Sequence, residues 1–242
     1  MNKLIKQFDN LIEVPKKNLG FGTNFPSSQN KKMLVTIESI SNDHNYKHFD
    51  SSLIQDLEFD SVKIIKPNSN ISIGVLNPDK NIKLKSLEDA GYDYAILNDL
   101  NTDSNFLSSD KLTIGYHIAN NLDDDLADII DELPFSFVYI DLLSPPDLAK
   151  LSGIFAISNI TSKVSKNIFL KLNHAPSLST LNILSSLGVN SIVFNSIVAN
   201  SIKLDQLALI IDQIKPENAK NSRHYADLSS AMPDIDTSED DY

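Results

Sequence analysis

The 242-residue sequence contains no cysteine and almost no arginine. Without cysteine the protein forms no disulfide bonds, holds no zinc through thiolates and has no cysteine nucleophile. Arg223, near the carboxyl end, is the only arginine. A bidentate arginine clamp on a phosphate or a carboxylate is therefore excluded from the body of the chain.

The chain also has no long apolar segment and no excess of positive charge. No run approaches the roughly 18 apolar residues that a membrane span requires. Residues 1–11 have neither the apolar core nor the small-residue cleavage site of a signal peptide, so a cytoplasmic protein away from the membrane is expected. The net charge of -11 argues against nucleic-acid binding, which depends on basic patches that displace counterions.

One complete strand–helix–strand unit lies within residues 165–195. An apolar run at 168–172 is followed by leucines and isoleucines at helical spacing, then by Gly188 and a second apolar run at 192–194. Glycine is the favoured residue where a helix ends in the left-handed conformation. Such a unit forces parallel pairing and a right-handed crossover, so it predicts an α/β fold with a parallel sheet.

Similar patterns recur along most of the chain, and eight short apolar runs are predicted to be strands. They cover residues 33–37, 62–65, 71–76, 94–97, 112–118, 137–140, 168–172 and 192–194. Helical spacing predicts helices that include 2–13, 51–57 and 202–214. The second and third strands are too close together for a crossover helix. Either that helix is missing or one of these runs is not a barrel strand, and the segment after the fourth strand shows no strong helical period either.

This alternation resembles the (β/α)8 barrels of the aldolase type. The half-units SLEDAGYDYAIL and ILSSLGVNSIVF carry the resemblance, because helix, glycine and buried strand follow one another in both. It covers residues 33–214 and implies a partly degenerate TIM-like barrel from a divergent bacterial branch. Phosphate-binding barrels usually have glycine pairs in the loops after the last two strands, where this chain has NHAPS and NSIVANS. Residues 1–32 are expected to be a helix and loop packed on the barrel, and 215–242 a disordered acidic tail.

Several polar side chains are expected to converge at one end of this barrel. One face of each strand meets the helices, and the carboxyl ends of the inward-facing positions form the active site of such barrels. The candidate catalytic residues at these positions are Glu38, His117, Asp141 and Lys171. The candidate binding residues are Asn98, Asn173, His174 and Asn195.

Two interpretations of this cluster stay open. In the first, the protein is a lyase or isomerase of a small oxo acid or sugar-derived metabolite. A partly desolvated Lys171 with a lowered pKa attacks a carbonyl, Asp141 or Glu38 relays protons, and His117 is a general acid or base. In the second, Lys171 is paired with Asp141 at a wet rim, and the barrel is a non-catalytic module that binds a metabolite or a protein.

The sequence indicates no cofactor and no metal. No dinucleotide fingerprint, phosphate loop or nucleophile elbow is present. Glu38, His117, Asp141 and His174 are residue types that bind zinc, manganese or iron, but no local signature such as HExxH supports a metal site. A small-molecule ligand and a homo-oligomer both remain open.

Overall fold

The protein folds as a closed barrel of parallel strands. The computed structural model describes residues 3–12, 32–39, 49–55, 57, 71–99, 101–202 and 204–214. Its eight strands pair in chain order, and the ring closes between the eighth and the first. The strands are β1 (Leu34–Ser39), β2 (Ser51–Gln55), β3 (Ser72–Leu76), β4 (Tyr94–Leu97), β5 (Thr113–Ile118), β6 (Phe137–Ile140), β7 (Asn167–Lys171) and β8 (Val189–Asn195). The predicted TIM-like barrel is confirmed.

Helices alternate with most of the strands. The α-helices within the described ranges are α1 (Lys3–Ile12), α2 (Leu84–Ala90), α3 (Asp124–Glu132), α4 (Leu151–Thr161), α5 (Leu178–Ser186), α6 (Ser196–Ser201) and α7 (Leu204–Asp212). Between β4 and β5 the described residues form only a short 3-10 helix, Ser104–Ser108, so the barrel is degenerate there. Gly91 after α2 and Gly188 after α5 have φ angles of 85° and 83°, which glycine adopts without steric penalty.

The second strand differs from the sequence prediction. Residues 51–57 were expected to contain a short helix, but Ser51–Gln55 is β2 and pairs with β1 and β3. The run at 62–65, predicted to be the second strand, lies outside the described residues, and the barrel closes without it. Serine favours helix starts and turns. Here Ser51 is fully buried, and its hydroxyl lies 2.6 Å from that of Tyr94.

Side chains of the strands divide into an outer and an inner core. Outward residues such as Ile114, Val138 and Leu170 pack against the helices. Inward residues form a second cluster inside the ring with part of α1. Its buried members are Leu4, Phe8, Leu34, Leu53, Leu76, Tyr94, Ile96, Phe137, Tyr139, Phe169 and Val193.

Two glycines make room for large rings inside the barrel. A Cβ on Gly74 would lie 2.1 Å from the Tyr94 ring, and one on Gly115 would lie 2.5 Å from the Phe137 ring. Each ring therefore occupies the space of a side chain on the preceding strand. Close packing of this kind leaves the interior filled rather than open.

Helix α1 packs into the amino-terminal end of the barrel. Its Phe8 ring lies 5.6 Å from the Phe169 ring, centroid to centroid. Its Gln7 donates to the carbonyl of Asp50, just before β2, and accepts from the hydroxyl of Ser72, at the start of β3, each at 2.9 Å. The carboxyl-terminal end, where barrel enzymes have their active sites, is thus the end that α1 leaves uncovered.

Candidate active site

The four candidate catalytic side chains meet at the carboxyl-terminal end of the strands. Lys171, the last residue of β7, places its Nζ 2.7 Å from Glu38 Oε2 on β1 and 2.8 Å from Asp141 Oδ2 just after β6. The ring of His117 on β5 lies 5.2 Å from the ring of Tyr139, centroid to centroid. Tyr139 in turn donates to Glu38 Oε1 at 3.0 Å. The structure therefore brings all four predicted residues into one connected group.

Glu38 is the most deeply buried member of the group. Its Oε1 accepts hydrogen bonds from Gln55 Nε2 at 2.6 Å and from the Tyr139 hydroxyl at 3.0 Å. Its Oε2 is close to the Lys171 ammonium but makes no well-aligned hydrogen bond within the described part of the chain. A buried carboxylate persists only when it is paired and hydrogen-bonded. Gln55, Tyr139 and Lys171 together meet that requirement.

Lys171 has a pKa above the ordinary value of a lysine. Burial by itself would lower the pKa, but the hydrogen bond to Asp141, the close contact with Glu38 and the charges of both carboxylates outweigh burial. The lowered pKa expected from the sequence is therefore wrong. Lys171 is an ammonium ion at neutral pH, which donates hydrogen bonds and carries positive charge but is not a free amine nucleophile.

Exposure increases from Glu38 to Asp141. The exposed fractions of the side chains are 1% for Glu38, 15% for Lys171 and 26% for Asp141. A ligand that approaches from solvent therefore meets Asp141 and the edge of Lys171 first. Glu38 lies behind the lysine, where it holds the ammonium rather than facing solvent.

His117 is a neutral side chain beside this ion cluster. Its Nδ1 lies 3.3 Å from Asn98 Nδ2, at the end of β4. Its Nε2 is buried, and no hydrogen-bond partner is found for it in the described structure. Burial lowers the pKa of His117, an effect that the charge of Asp141 and a hydrogen bond with the Asp141 backbone offset only in part. The imidazole is therefore uncharged at neutral pH.

The candidate binding residues do not form one group. Asn98 contacts His117, as described above. Asn195 accepts a hydrogen bond from the Val198 backbone at 2.8 Å and caps α6, a helix in the segment where the sequence analysis expected a loop. Asn173 and His174 are exposed and line a cleft of about 280 Å³.

That cleft lies outside the barrel. Its apolar wall includes Leu170 and Leu172, which point outward from β7, and Ile157 of α4. The loop around Pro145 covers it, and Lys171 borders it. Because the outward face of β7 forms its wall, the cleft is a neighbour of the ion cluster rather than its binding cavity.

Two members of the site, Gln55 and Tyr139, were not predicted from the sequence. Gln55 was not expected in the site, because residues 51–57 were predicted to contain a helix rather than β2. Had the strand been recognised, alternation from Ser51 through Leu53 would have placed Gln55 inward at the carboxyl end. Tyr139 lies on the inward face of β6, but an aromatic residue in a strand gives no sign that its hydroxyl meets a carboxylate 101 positions away.

Two classes of feature are absent from the described part of the molecule. No group of three or more histidine, cysteine, aspartate or glutamate side chains there is arranged to hold a metal ion. No helix in those ranges has both the length and the apolar character to cross a bilayer.

Comparisons with known proteins support the architecture. No family model and no curated protein matches the sequence. Two mutant forms of the tryptophan synthase α-subunit from Pyrococcus furiosus match with a TM-score of 0.56 and 12% identity, over 76% of this chain and 98% of that subunit. A further structure of the same subunit matches with a TM-score of 0.55 and 12% identity. Likeness at this identity shows the TIM-barrel fold and says nothing about the role of any residue.

Proposed function

We propose that the protein is an aldolase-type barrel enzyme, a lyase or isomerase that acts on a small oxo acid or a sugar-derived metabolite. The observation that supports this most is the ammonium of Lys171 between the carboxylates of Glu38 and Asp141. Well-packed apolar residues often replace a buried ion pair without loss of stability. A buried ion cluster is costly, and this one lies at the end of the barrel where barrel enzymes bind and convert their substrates. Its position therefore favours a catalytic role.

Asp141 is the proton-transfer group in this proposal, because it is the more exposed of the two carboxylates. Its carboxylate takes a proton from the carbon next to the substrate carbonyl, and the electron pair of that C–H bond moves to the carbonyl oxygen. In an isomerase of a hydroxyketone, the protonated Asp141 gives this proton to the former carbonyl carbon, and the hydroxyl proton moves to the former carbonyl oxygen. In a lyase Asp141 instead takes the proton of a hydroxyl group on the second carbon from the carbonyl, and the carbon–carbon bond breaks to release an aldehyde and the enolate. The protonated Asp141 then gives that proton to the enolate carbon.

Lys171 acts as a fixed positive charge rather than as a Schiff-base nucleophile. Its raised pKa keeps it protonated, and an ammonium beside the developing enolate oxygen stabilises the transition state. Glu38 holds this ammonium from behind, and Gln55 and Tyr139 hold Glu38. These three residues are positioning residues, because they act through Lys171.

Deuterium exchange tests the proposal directly. The protein is incubated in D2O with pyruvate, 2-oxobutyrate or dihydroxyacetone, and proton NMR follows the loss of the signal from the carbon next to the carbonyl. We expect protein-dependent exchange of at least one compound, and a rate about 100-fold lower in Asp141→Asn because a general base has been removed. Asp125→Asn, an exposed position in the first turn of α3, is the matched control and retains the rate. If every compound exchanges only as fast as it does without protein, the result contradicts the proposal.

The second candidate is a non-catalytic barrel that binds a metabolite. The near-complete burial of Glu38 favours it, since this carboxylate is already neutralised by Lys171. The same experiment separates the two functions. Broadening of the ligand signals without any exchange supports a binding module, whereas exchange that requires Asp141 supports the enzyme.

A further inference from the structure

The cleft beside β7 is larger than an ordinary gap in packing. Its volume is about 280 Å³. Protein interiors are close-packed, and an apolar cavity of about 150 Å³ already holds a benzene molecule. A second space of about 230 Å³ adjoins the cleft, since Leu148, Leu172 and His174 line both. The cleft therefore has room for an aromatic ring with a substituent, and the second space leaves room for a longer ligand.

The loop before α4, which forms one wall of the cleft, is held in place around Asp147. Its Oδ1 accepts a hydrogen bond from the Ala149 backbone at 3.0 Å, and its carbonyl accepts one from the Lys150 backbone at 2.9 Å. A Cβ on Gly153 of α4 would lie 2.2 Å from that carbonyl oxygen, so the loop packs directly against the helix backbone. The cleft is thus formed before a ligand enters it, which lowers the free-energy cost of binding.

The cleft combines an apolar interior with a polar mouth. The buried aliphatic side chains in its lining are those of Leu148, Ile157, Leu170 and Leu172. The exposed polar residues in its lining are Asp147, Asn173 and His174. Small-molecule sites have this composition, with mostly apolar walls and a few polar groups that orient the ligand. The Asp147 carboxylate is balanced by the Lys150 ammonium at 3.3 Å, so the mouth favours neither an anion nor a cation.

We propose that this cleft binds a small uncharged molecule with an apolar ring and one hydroxyl or amide group, such as a phenol. The ring packs against the aliphatic wall, and the polar group pairs with Asn173 or His174, whose side chains offer both donors and acceptors. The site is separate from the proposed active site, because Leu170 and Leu172 face outward while the Lys171 ammonium lies between Glu38 and Asp141. The inference therefore does not depend on the proposed function.

NMR of the full chain, labelled with carbon-13 in the leucine methyl groups, tests the site with p-cresol as the probe. The Leu148, Leu170 and Leu172 signals are assigned by substitution of each leucine in turn. We expect these signals to shift with a dissociation constant of about 1 mM or lower, as for a ligand of about eight non-hydrogen atoms. If none of the three moves at about 10 mM p-cresol, the inference is overturned.

Two charged probes of the same shape test the chemical class. In 4-methylbenzoate and 4-methylbenzylamine the hydroxyl of p-cresol is replaced by a negative and a positive group. We expect each ion to bind about threefold or more weakly than p-cresol, because the mouth does not compensate the lost hydration of either charge. Tighter binding of either ion would overturn the assignment to an uncharged ligand.

Substitutions inside and outside the cleft locate the binding site. Leu172→Phe adds a ring that occupies the free space, and we expect it to weaken p-cresol binding about tenfold or more. The matched control is Phe155→Ala, which removes a 63% exposed ring of α4 that does not line the cleft and leaves p-cresol binding unchanged. If Phe155→Ala loses binding and Leu172→Phe keeps it, p-cresol binds the exposed surface of α4 and the inference is wrong.

The mouth provides a test that does not disturb the core. Asn173 and His174 are exposed, so the double variant Asn173→Ala/His174→Ala is expected to fold. It should bind p-cresol about 3- to 10-fold more weakly, as for loss of one hydrogen bond, and toluene as tightly as the unmodified protein does. Unchanged p-cresol binding, or an equal loss for both probes, would contradict the role of these two residues in orienting the ligand.

Discussion

The two ends of the barrel interior are built from opposite kinds of side chain. At the amino-terminal end, the rings of Phe8, Phe137 and Phe169 pack with centroids 4.8–6.2 Å apart. At the carboxyl-terminal end the same interior contains the Glu38–Lys171 ion pair. Apolar burial stabilises without a strict requirement for direction, whereas buried ions stabilise only with well-placed partners. One end is therefore expected to supply stability and the other to supply chemistry.

The largest effect is expected from the aromatic end. Phe169→Ala removes a fully buried ring and leaves a cavity among Phe8, Phe137 and Tyr94. We expect the free energy of unfolding to fall by about 4 kcal/mol, as for other buried phenylalanines. Urea denaturation at neutral pH measures this loss.

The matched control for this cavity is Phe155→Ala on α4, where the side chain is 63% exposed. Its free energy of unfolding is expected to change by less than about 0.5 kcal/mol. Similar losses in the two variants would mean that the interior rings are not the main source of stability at this end.

The second prediction concerns the ionic end, where a smaller loss of stability is expected. Glu38→Gln keeps the shape of the side chain but removes one of the two charges that hold Lys171. We expect the pKa of Lys171 to fall and the free energy of unfolding at neutral pH to decrease by about 1–3 kcal/mol, the range for a buried polar group that loses a partner.

The sign of the pH dependence follows from the raised pKa of Lys171. Its stabilising contribution is complete below the unfolded-state pKa of 10.5 and is lost as pH rises through the higher folded-state pKa. The stability difference between the unmodified protein and Glu38→Gln should therefore shrink in strongly alkaline solution. A stability difference that grows as pH rises above 10.5 would contradict the ion pair between Glu38 and Lys171.

The contrast between the ends also explains what the sequence could predict. Strands β5 to β7 alternate outward isoleucine, valine and leucine with other residues, so the inward positions of His117, Asp141 and Lys171 follow from the period of two. Strand β2 has no such pattern, because Ser51 and Ser52 are buried without apolar side chains. The partner that makes burial of Ser51 tolerable is Tyr94, 43 positions away.

The pKa of Lys171 could not be predicted for a related reason. Local sequence shows only a lysine inside an apolar strand, which suggests desolvation and a lowered pKa. The opposite result depends on Glu38 from β1 and on Asp141 from the loop after β6. Their distances to Nζ are set by closure of the whole ring. Strand periodicity thus predicts which side chains meet, but not the balance of their charges.

The smallest effect concerns His117, the half-buried ring beside the ion cluster. Its folded-state pKa is lower than the unfolded value of 6.5, chiefly because of burial, although the charges of Asp141 and Glu38 oppose the shift. As pH falls below 6.5 the unfolded chain binds a proton that the folded protein resists, so the free energy of unfolding decreases until the folded-state pKa is passed.

His117→Gln removes this pH-dependent component of the free energy of unfolding, whose upper limit is about 1.4 kcal/mol for each unit of pKa difference. Urea denaturation at about pH 7 and about pH 5 should therefore show a steeper decline in the unmodified protein than in His117→Gln. Equal slopes would mean that the ring is solvated, and the ionic end would then lack the partly buried neutral ring that distinguishes it from a cluster of ion pairs.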